Sequence, residues 1–186
     1  MVAKPLRLMF VDEMRYGLMS NIRRSWSKKG ERTVYQNQQE FANRYLYTAI
    51  DPINGESFHL IGFDDASTRE TDVFLKALQE RFPDDHIAVV WDRAPFHRPK
   101  SLQRPHMTLI SLPSYSPQLN PVERYFGEMR KSTANRIFRD GIENLEGVLT
   151  QAVCTLSDNK NAMKRLAGYS WIKDQWQEVS EWMIIR

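Results

Sequence analysis

Apolar and polar positions alternate in short blocks along this chain, and several blocks end on an acid or a turn signal. Leu6 to Val11 is an apolar run broken by one base, and predicts a strand ending at Asp12-Glu13. Leu18 to Trp26 and Arg44 to Ile50 predict two more. The second alternates Tyr45, Tyr47 and Ala49 with Leu46, Thr48 and Ile50, one set for each face of a sheet. Asp51 to Gly55 is rich in turn residues, and Ser57 to Phe63 resumes the extended pattern, which makes a three-strand meander after the first strand. Ser67 or Thr68 caps a predicted helix reaching about Phe82, with Val73, Phe74, Ala77, Leu78 and Phe82 on one face. Ile87 to Trp91 is a compact run of the buried-strand kind and ends on Asp92. Met107 to Leu112 is another short strand.

In "SYSPQLNPVERYF", residues 114–126, the prolines and polar residues predict a loop. Asn120 is a good N-cap, and Pro121 suits the first helical position because its missing N–H has no partner there anyway. Glu123 then stands at the third position, where a carboxylate meets the positive end of the helix dipole. Helices are predicted from Pro121 to about Phe138, with Tyr125 and Phe126 facing the core, and from Ile142 to about Asp158. Beyond Lys164 a helical tail holds three of the five tryptophans. This order describes an α/β domain: a mixed β-sheet flanked by α-helices, the layout of the RNase H-like fold and equally of other mixed α/β folds.

At 186 residues the chain suits one well-cored domain, here read as a single domain over 1–186. No apolar run reaches the roughly 20 residues that span a bilayer, and no signal-peptide pattern opens the chain, so a cytoplasmic protein is expected. Cys154, the single cysteine, falls on a predicted apolar helix face. The net charge of +3 says little, but its distribution is uneven. Arg15, Arg23, Arg24, Lys28 and Lys29 form one acid-free stretch; Arg93, Arg98, Lys100 and Arg104 form another. Each follows directly on an acid at a predicted strand end, which suggests a polyanion lying across a site and equally fits two solvated faces.

Those acids carry the candidate chemistry. A carboxylate beside apolar neighbours is costly unless it is paired or bound to a cation. If the strands ending at Asp12 and Asp92 are neighbours, their charges repel, and a divalent metal removes the repulsion. Glu123 could add a third oxygen from the side. Oxygen donors without a His/Cys cluster favour Mg2+ or Mn2+ over zinc. Two such ions about 4 Å apart can activate a water or a 3′-hydroxyl at a phosphodiester. Taken singly, each acid also reads as a turn or helix-start residue.

Four segments, "FVDEMRYGL", "RRSWSKKGERTV", "VVWDRAPFH" and "LPSYSPQLNPVERYFGEMRK", resemble in that order the catalytic domain of DDE transposases, as found in bacterial insertion-sequence relatives of the Tc/mariner elements. The resemblance implies an RNase H-like fold, with Asp12, Asp92 and Glu123 as the three metal-binding catalytic acids and Mg2+ or Mn2+, as two ions, as cofactor. It implies cleavage at transposon ends followed by transfer of the freed 3′-hydroxyl strand into target DNA, at TA, by a nucleoid-associated protein. The partners implied are double-stranded DNA, both terminal inverted repeats and target, and a second copy of the chain. His97 matches the family's D-x-x-x-x-H, orienting a phosphate or the metal ligands, or else capping a surface turn. Arg23, Arg24, Trp26, Lys28, Lys29, Arg93, His97, Arg98 and Lys100 are the candidate DNA contacts. Arg93 and Phe126 depart from the family pattern, which has Asn and Trp there, so an inactive relative that only binds DNA or protein is the alternative, and a nuclease of the same fold a third. The family's helix-turn-helix region has no counterpart before Asp12, and is expected on a partner chain from an upstream frame, joined to this one by frameshifting, or lost.

Overall fold

The computed structural model describes residues 4–98 and 100–184. Five strands form one sheet in the order β3-β2-β1-β4-β5, with β1 Leu6–Gly17, β2 Asn43–Ile50, β3 Ser57–Phe63, β4 His86–Trp91 and β5 Met107–Ser111. β1 runs antiparallel to β2 and parallel to β4, and β4 runs parallel to β5, so the sheet is mixed. The helices are α1 Thr68–Arg81, α2 Val122–Thr133, α3 Ile142–Ser157, α4 Lys160–Ala167 and α5 Ser170–Ile184.

Strand alternation sorts the apolar residues into two layers. Met9, Val11, Tyr47, Ala49, Ile87, Val89 and Trp91 pack on the α1 side. Phe10, Met14, Leu46, Ile50 and Val90 pack on the side of α2, α3 and α4. α2 presents Val122, Tyr125, Phe126 and Met129 to this layer, at the i, i+3, i+4, i+7 spacing of a single helix face. Burial of each such large side chain stabilises the domain by about 1.5–3 kcal/mol. Together these faces hold α2, and with it Glu123, against the middle of the sheet.

Five expectations need correction. β1 does not stop at Val11: Met14 and Tyr16 are buried in the same alternation, and the strand pairs with β2 as far as Gly17 opposite Asn43. Leu18 to Trp26 is not a strand; residues 18–42 form a long irregular arm. Its base is pinned where Gln38 exchanges two hydrogen bonds with the backbone of Phe138, but Trp26, Val34 and Phe41 are exposed, so its outer part has no sheet to join. The face of α1 is Thr71, Phe74, Leu75 and Leu78, and Val73 points outward. Cys154 is also exposed, because α3 buries Ile142, Leu145 and Leu149 instead. α2 ends at Thr133, short of Phe138.

Candidate active site

The parallel register of β1 and β4 reaches Phe10 opposite Val90 and then stops, because β4 ends at Trp91 while β1 continues against β2. Two residues past that last pair, on the same face by alternation, stand Asp12 and Asp92. Asp12 is therefore not at the end of its own strand. It is where its neighbour ends, still paired to Thr48 of β2 on one side and open on the other. Carboxyl ends of parallel strands beside a change of direction in the sheet are where open α/β sheets place ligands.

α2 supplies the third acid. Asn120 is buried, and its side chain does two jobs. Its Oδ1 accepts from the Val122 backbone N–H at 3.1 Å, which anchors the start of α2 although Pro121 occupies the helix boundary. Its Nδ2 donates to the Val11 carbonyl at 3.0 Å and to Asp12 Oδ2 at 3.2 Å. One asparagine thus fastens α2 to β1 and fixes Glu123 relative to Asp12. Glu123 makes a 3.8 Å ion pair with Arg130 and is not buried.

Asp12, Asp92 and Glu123 line one cavity of about 410 Å³, together with Arg93, Arg98, Asn120 and the loop 112–117. Burial, and then the negative charges of Glu13, Glu123 and Asp92, push the Asp12 carboxyl up to about 8, against a hydrogen bond from the Glu13 N–H that favours its ionised form. Asp92 goes the other way. A hydrogen bond from His97 holds it below the ordinary carboxylate range, although partial burial opposes this. Asp12, desolvated and surrounded by the charges of Glu13, Glu123 and Asp92, is the carboxylate whose ionisation a hard divalent cation in this cavity would favour. Among the described residues no group of three or more His, Cys, Asp or Glu side chains stands placed to hold a metal ion.

His97 is buried, which corrects its expected place on a DNA-facing surface. Its Nδ1 lies 2.8 Å from Asp92 Oδ1, and its Nε2 lies 3.2 Å from Glu13 Oε1. Its ring is stacked on Trp91 at 4.2 Å and 7°. Burial alone would lower its pKa, but Asp92 and Glu13 outweigh burial and raise it to about 9. The remaining candidates divide in two. Arg93 and Arg98 stand in the cavity wall, where Arg98 donates to the Arg93 carbonyl. Arg24, Trp26, Lys28 and Lys29 are exposed on the arm, Arg23 is anchored there through its backbone N–H to Asn135, and Lys100 is exposed in a short 3-10 turn.

Two contributors were not legible as site residues. Glu13 enters the sequence reading only as the last residue of the first predicted strand, and the alternation of β1 puts it on the face opposite Asp12. Tyr115, on the cavity rim, is fully exposed and adopts a left-handed φ of 56°, uncommon for a bulky side chain.

Residues 7–145 match the DDE superfamily endonuclease family. The Sinorhizobium fredii protein y4pE/y4sA is 34% identical over 102 residues, covering 52% of this chain and 73% of that protein. Among solved structures, the Mos1 mariner paired end complex with Mn superposes with a TM-score of 0.58 at 16% identity, over 88% of this chain and 56% of that one. The HTLV-2 integrase catalytic core domain in complex with magnesium superposes with a TM-score of 0.50 at 14% identity, over 82% and 85%. These likenesses identify the RNase H-like fold. The chain spans a little over half the length of the Mos1 chain.

Proposed function

The chain belongs to the DDE superfamily endonucleases, and we propose that it is the catalytic part of a transposase that cleaves transposon-end phosphodiesters and joins the freed 3′-hydroxyl strand to target DNA, at TA. The observation that carries this reading is the gathering of Asp12, Asp92 and Glu123 around one cavity at the fork between β1 and β4. In this reading the three carboxylates hold Mg2+ or Mn2+, as two ions. Such ions would activate the attacking water or 3′-hydroxyl and stabilise the leaving oxygen. Asn120 keeps the first and third acids in register, and Arg93 and Arg98 draw the phosphate backbone against the acids. Arg23, Arg24, Trp26, Lys28, Lys29 and Lys100 extend that contact along flanking DNA, mostly through phosphates. Reading the terminal repeats needs base-edge contacts, which we assign to a helix-turn-helix element outside the described residues, on this polypeptide or a partner chain.

The test is Mn2+-dependent cleavage of duplexes carrying the inverted repeats that flank the gene, with and without the product of any upstream frame encoding a helix-turn-helix. Cleavage lost in Asp12→Asn, Asp92→Asn and Glu123→Gln supports the reading. DNA binding without cleavage under every metal condition would favour an inactive, DNA-binding relative instead.

A further inference from the structure

On the α1 side of the sheet, directly behind the cavity, Glu13 has no place in the cavity wall. Consecutive strand residues point to opposite faces, so with Asp12 on the α2 face Glu13 enters the layer of Val11, Tyr47 and Trp91. Its side chain is only 7% exposed, and that of His97 only 2%. A carboxylate buried this far is costly unless it holds a directed partner. The structure gives it His97, and the other nitrogen of the same ring reaches Asp92.

Four contacts define where that ring can be. The stack on Trp91 sets its plane, and the Phe96 ring, edge-on at 4.5 Å, bounds one side, but neither fixes its turn within the plane. A bond at each nitrogen, to carboxylates on two different elements, removes that freedom. The consequence falls on Asp92. Its Oδ1 accepts from His97 Nδ1 and, at 2.9 Å, from the Ala94 N–H, which leaves Oδ2 for the cavity. Asp92 is otherwise exposed, its side chain 57% accessible, so nothing else packs it into one rotamer.

Resting on the metal-dependent reading above, we infer that Glu13 is a positioning residue: through His97 it fixes the Asp92 carboxylate, just past the end of β4, from the neighbouring strand β1. Asp12 and Glu13 then serve one site from both faces of β1, the first as a proposed ligand, the second as the brace for the ligand opposite. Outer partners of metal ligands govern affinity in this way, and losing one costs about 10–100-fold.

The experiment measures Mn2+ binding to the full chain without DNA, by electron paramagnetic resonance of the free ion, alongside circular dichroism and thermal melts. Glu13→Leu keeps the bulk and removes the acceptor, and weakens Mn2+ binding by about tenfold. Glu13→Gln keeps one acceptor and weakens Mn2+ binding by less than the ~10-fold lower end of outer-partner losses. In a His97→Ala background Glu13→Leu adds less than about twofold, because its path to Asp92 is already cut. A folded Glu13→Leu with wild-type Mn2+ affinity overturns the inference, and so does an undiminished effect in the His97→Ala background. If Glu13→Leu fails to fold, Glu13→Gln decides, and unchanged affinity there overturns it. If the wild-type chain binds no Mn2+ and Asp12→Asn and Asp92→Asn change nothing, the metal reading itself has failed, a result distinct from a wild-type site indifferent to Glu13.

Discussion

Two histidines on opposite sides of this sheet, His97 buried and His59 half-buried, have opposite fates. His97 lies between two carboxylates, and its pKa is raised to about 9. His59, on β3, lies between hydroxyls: Nδ1 is 3.1 Å from Thr48 Oγ1 and Nε2 is 3.0 Å from Ser157 Oγ, with the ring stacked on Tyr125 at 4.9 Å. Burial there pushes its pKa down to about 3. Both imidazoles are desolvated and stacked on an aromatic ring, so burial does not tell them apart. The partners do. Neutral partners make His59 a tie between β3, α2 and α3; charged ones make His97 part of an electrostatic assembly whose outer member, Asp92, faces the cavity. Perturbed titration marks a functional site only when a specific charged partner accompanies the burial.

The strongest way to break that contrast is at the acids themselves. Asp92→Asn removes a proposed ligand and the negative partner of His97 together. Cleavage should fall by more than the ~100-fold typical of losing a single outer partner, while DNA binding holds or tightens, since one negative charge facing the phosphates is gone. A gel-shift and a nicking assay on the same preparation check this. Parallel loss of binding and cleavage would mean that the variant misfolds.

Next in size is a paired comparison. His97→Ala should reduce Mn2+ affinity and cleavage about 10–100-fold. His59→Ala should leave Mn2+ affinity unchanged but cost on the order of 2–4 kcal/mol of stability, from a cavity and two hydroxyls left short of a partner. Urea melts and metal titrations on both variants read the two quantities separately. Were His59→Ala to weaken Mn2+ binding as much as His97→Ala, the division between tie and brace would collapse.

How much of this was visible in the sequence follows the same division. β2, β3, α1 and β4 came within a residue or so of their observed bounds, because turn signals and a capping serine flank strong periodic runs. The cavity acids were legible as the acids following apolar runs and the one after Asn-Pro. Two things were not. The length of β1 depends on β2 continuing past the point where β4 ends, a property of pairing and not of residues 12–17 alone. The link from Glu13 to His97 joins residues 84 positions apart, and no local pattern announces it. The arm misled for a related reason: Leu18 to Trp26 has a strand's composition but no partner strand to receive it.

A smaller effect separates the histidines by pH. His97 has its folded pKa raised above the ordinary 6.5, so its contribution is complete below pH 6.5 and is lost as pH rises through about 9. His59 has its folded pKa lowered, so its contribution is complete above pH 6.5 and is lost as pH falls toward about 3. Each slope is at most about 1.4 kcal/mol per pH unit. Asp12, whose pKa is raised from the ordinary 3.8 to about 8, loses stability as pH rises from about 4 to about 8, so its loss overlaps the acid limb and is complete while that of His97 is still under way. Melting temperatures of wild type, His59→Gln and His97→Gln from pH 4 to 9 isolate each part. His59→Gln should flatten the acid limb, and His97→Gln should flatten part of the alkaline limb. Acid limbs of equal slope in wild type and His59→Gln would show that His59 is not the neutral group described.

The smallest expected effect concerns strain, which also sits on the cavity side. Tyr115 holds a left-handed φ of 56° with its ring wholly in solvent. That backbone region costs an ordinary side chain about 1–2 kcal/mol and glycine almost nothing. Nothing in the folded chain repays the cost, since the ring is exposed and Tyr115 packs against no core layer. Tyr115→Gly should therefore raise stability, by about 0.5 kcal/mol once the added freedom of the unfolded chain is set against the relieved strain. Asn135, also left-handed at φ 58°, makes a useful control. Asparagine tolerates this region better, and its Oδ1 accepts from the Arg23 N–H at the base of the arm, so Asn135→Gly should gain nothing. If the tyrosine is kept for what the cavity binds, Tyr115→Gly should also weaken DNA binding while it stabilises the fold, since an exposed aromatic beside Arg93 and Arg98 offers a stacking face to a base. A destabilised Tyr115→Gly chain would show that the left-handed turn is no burden.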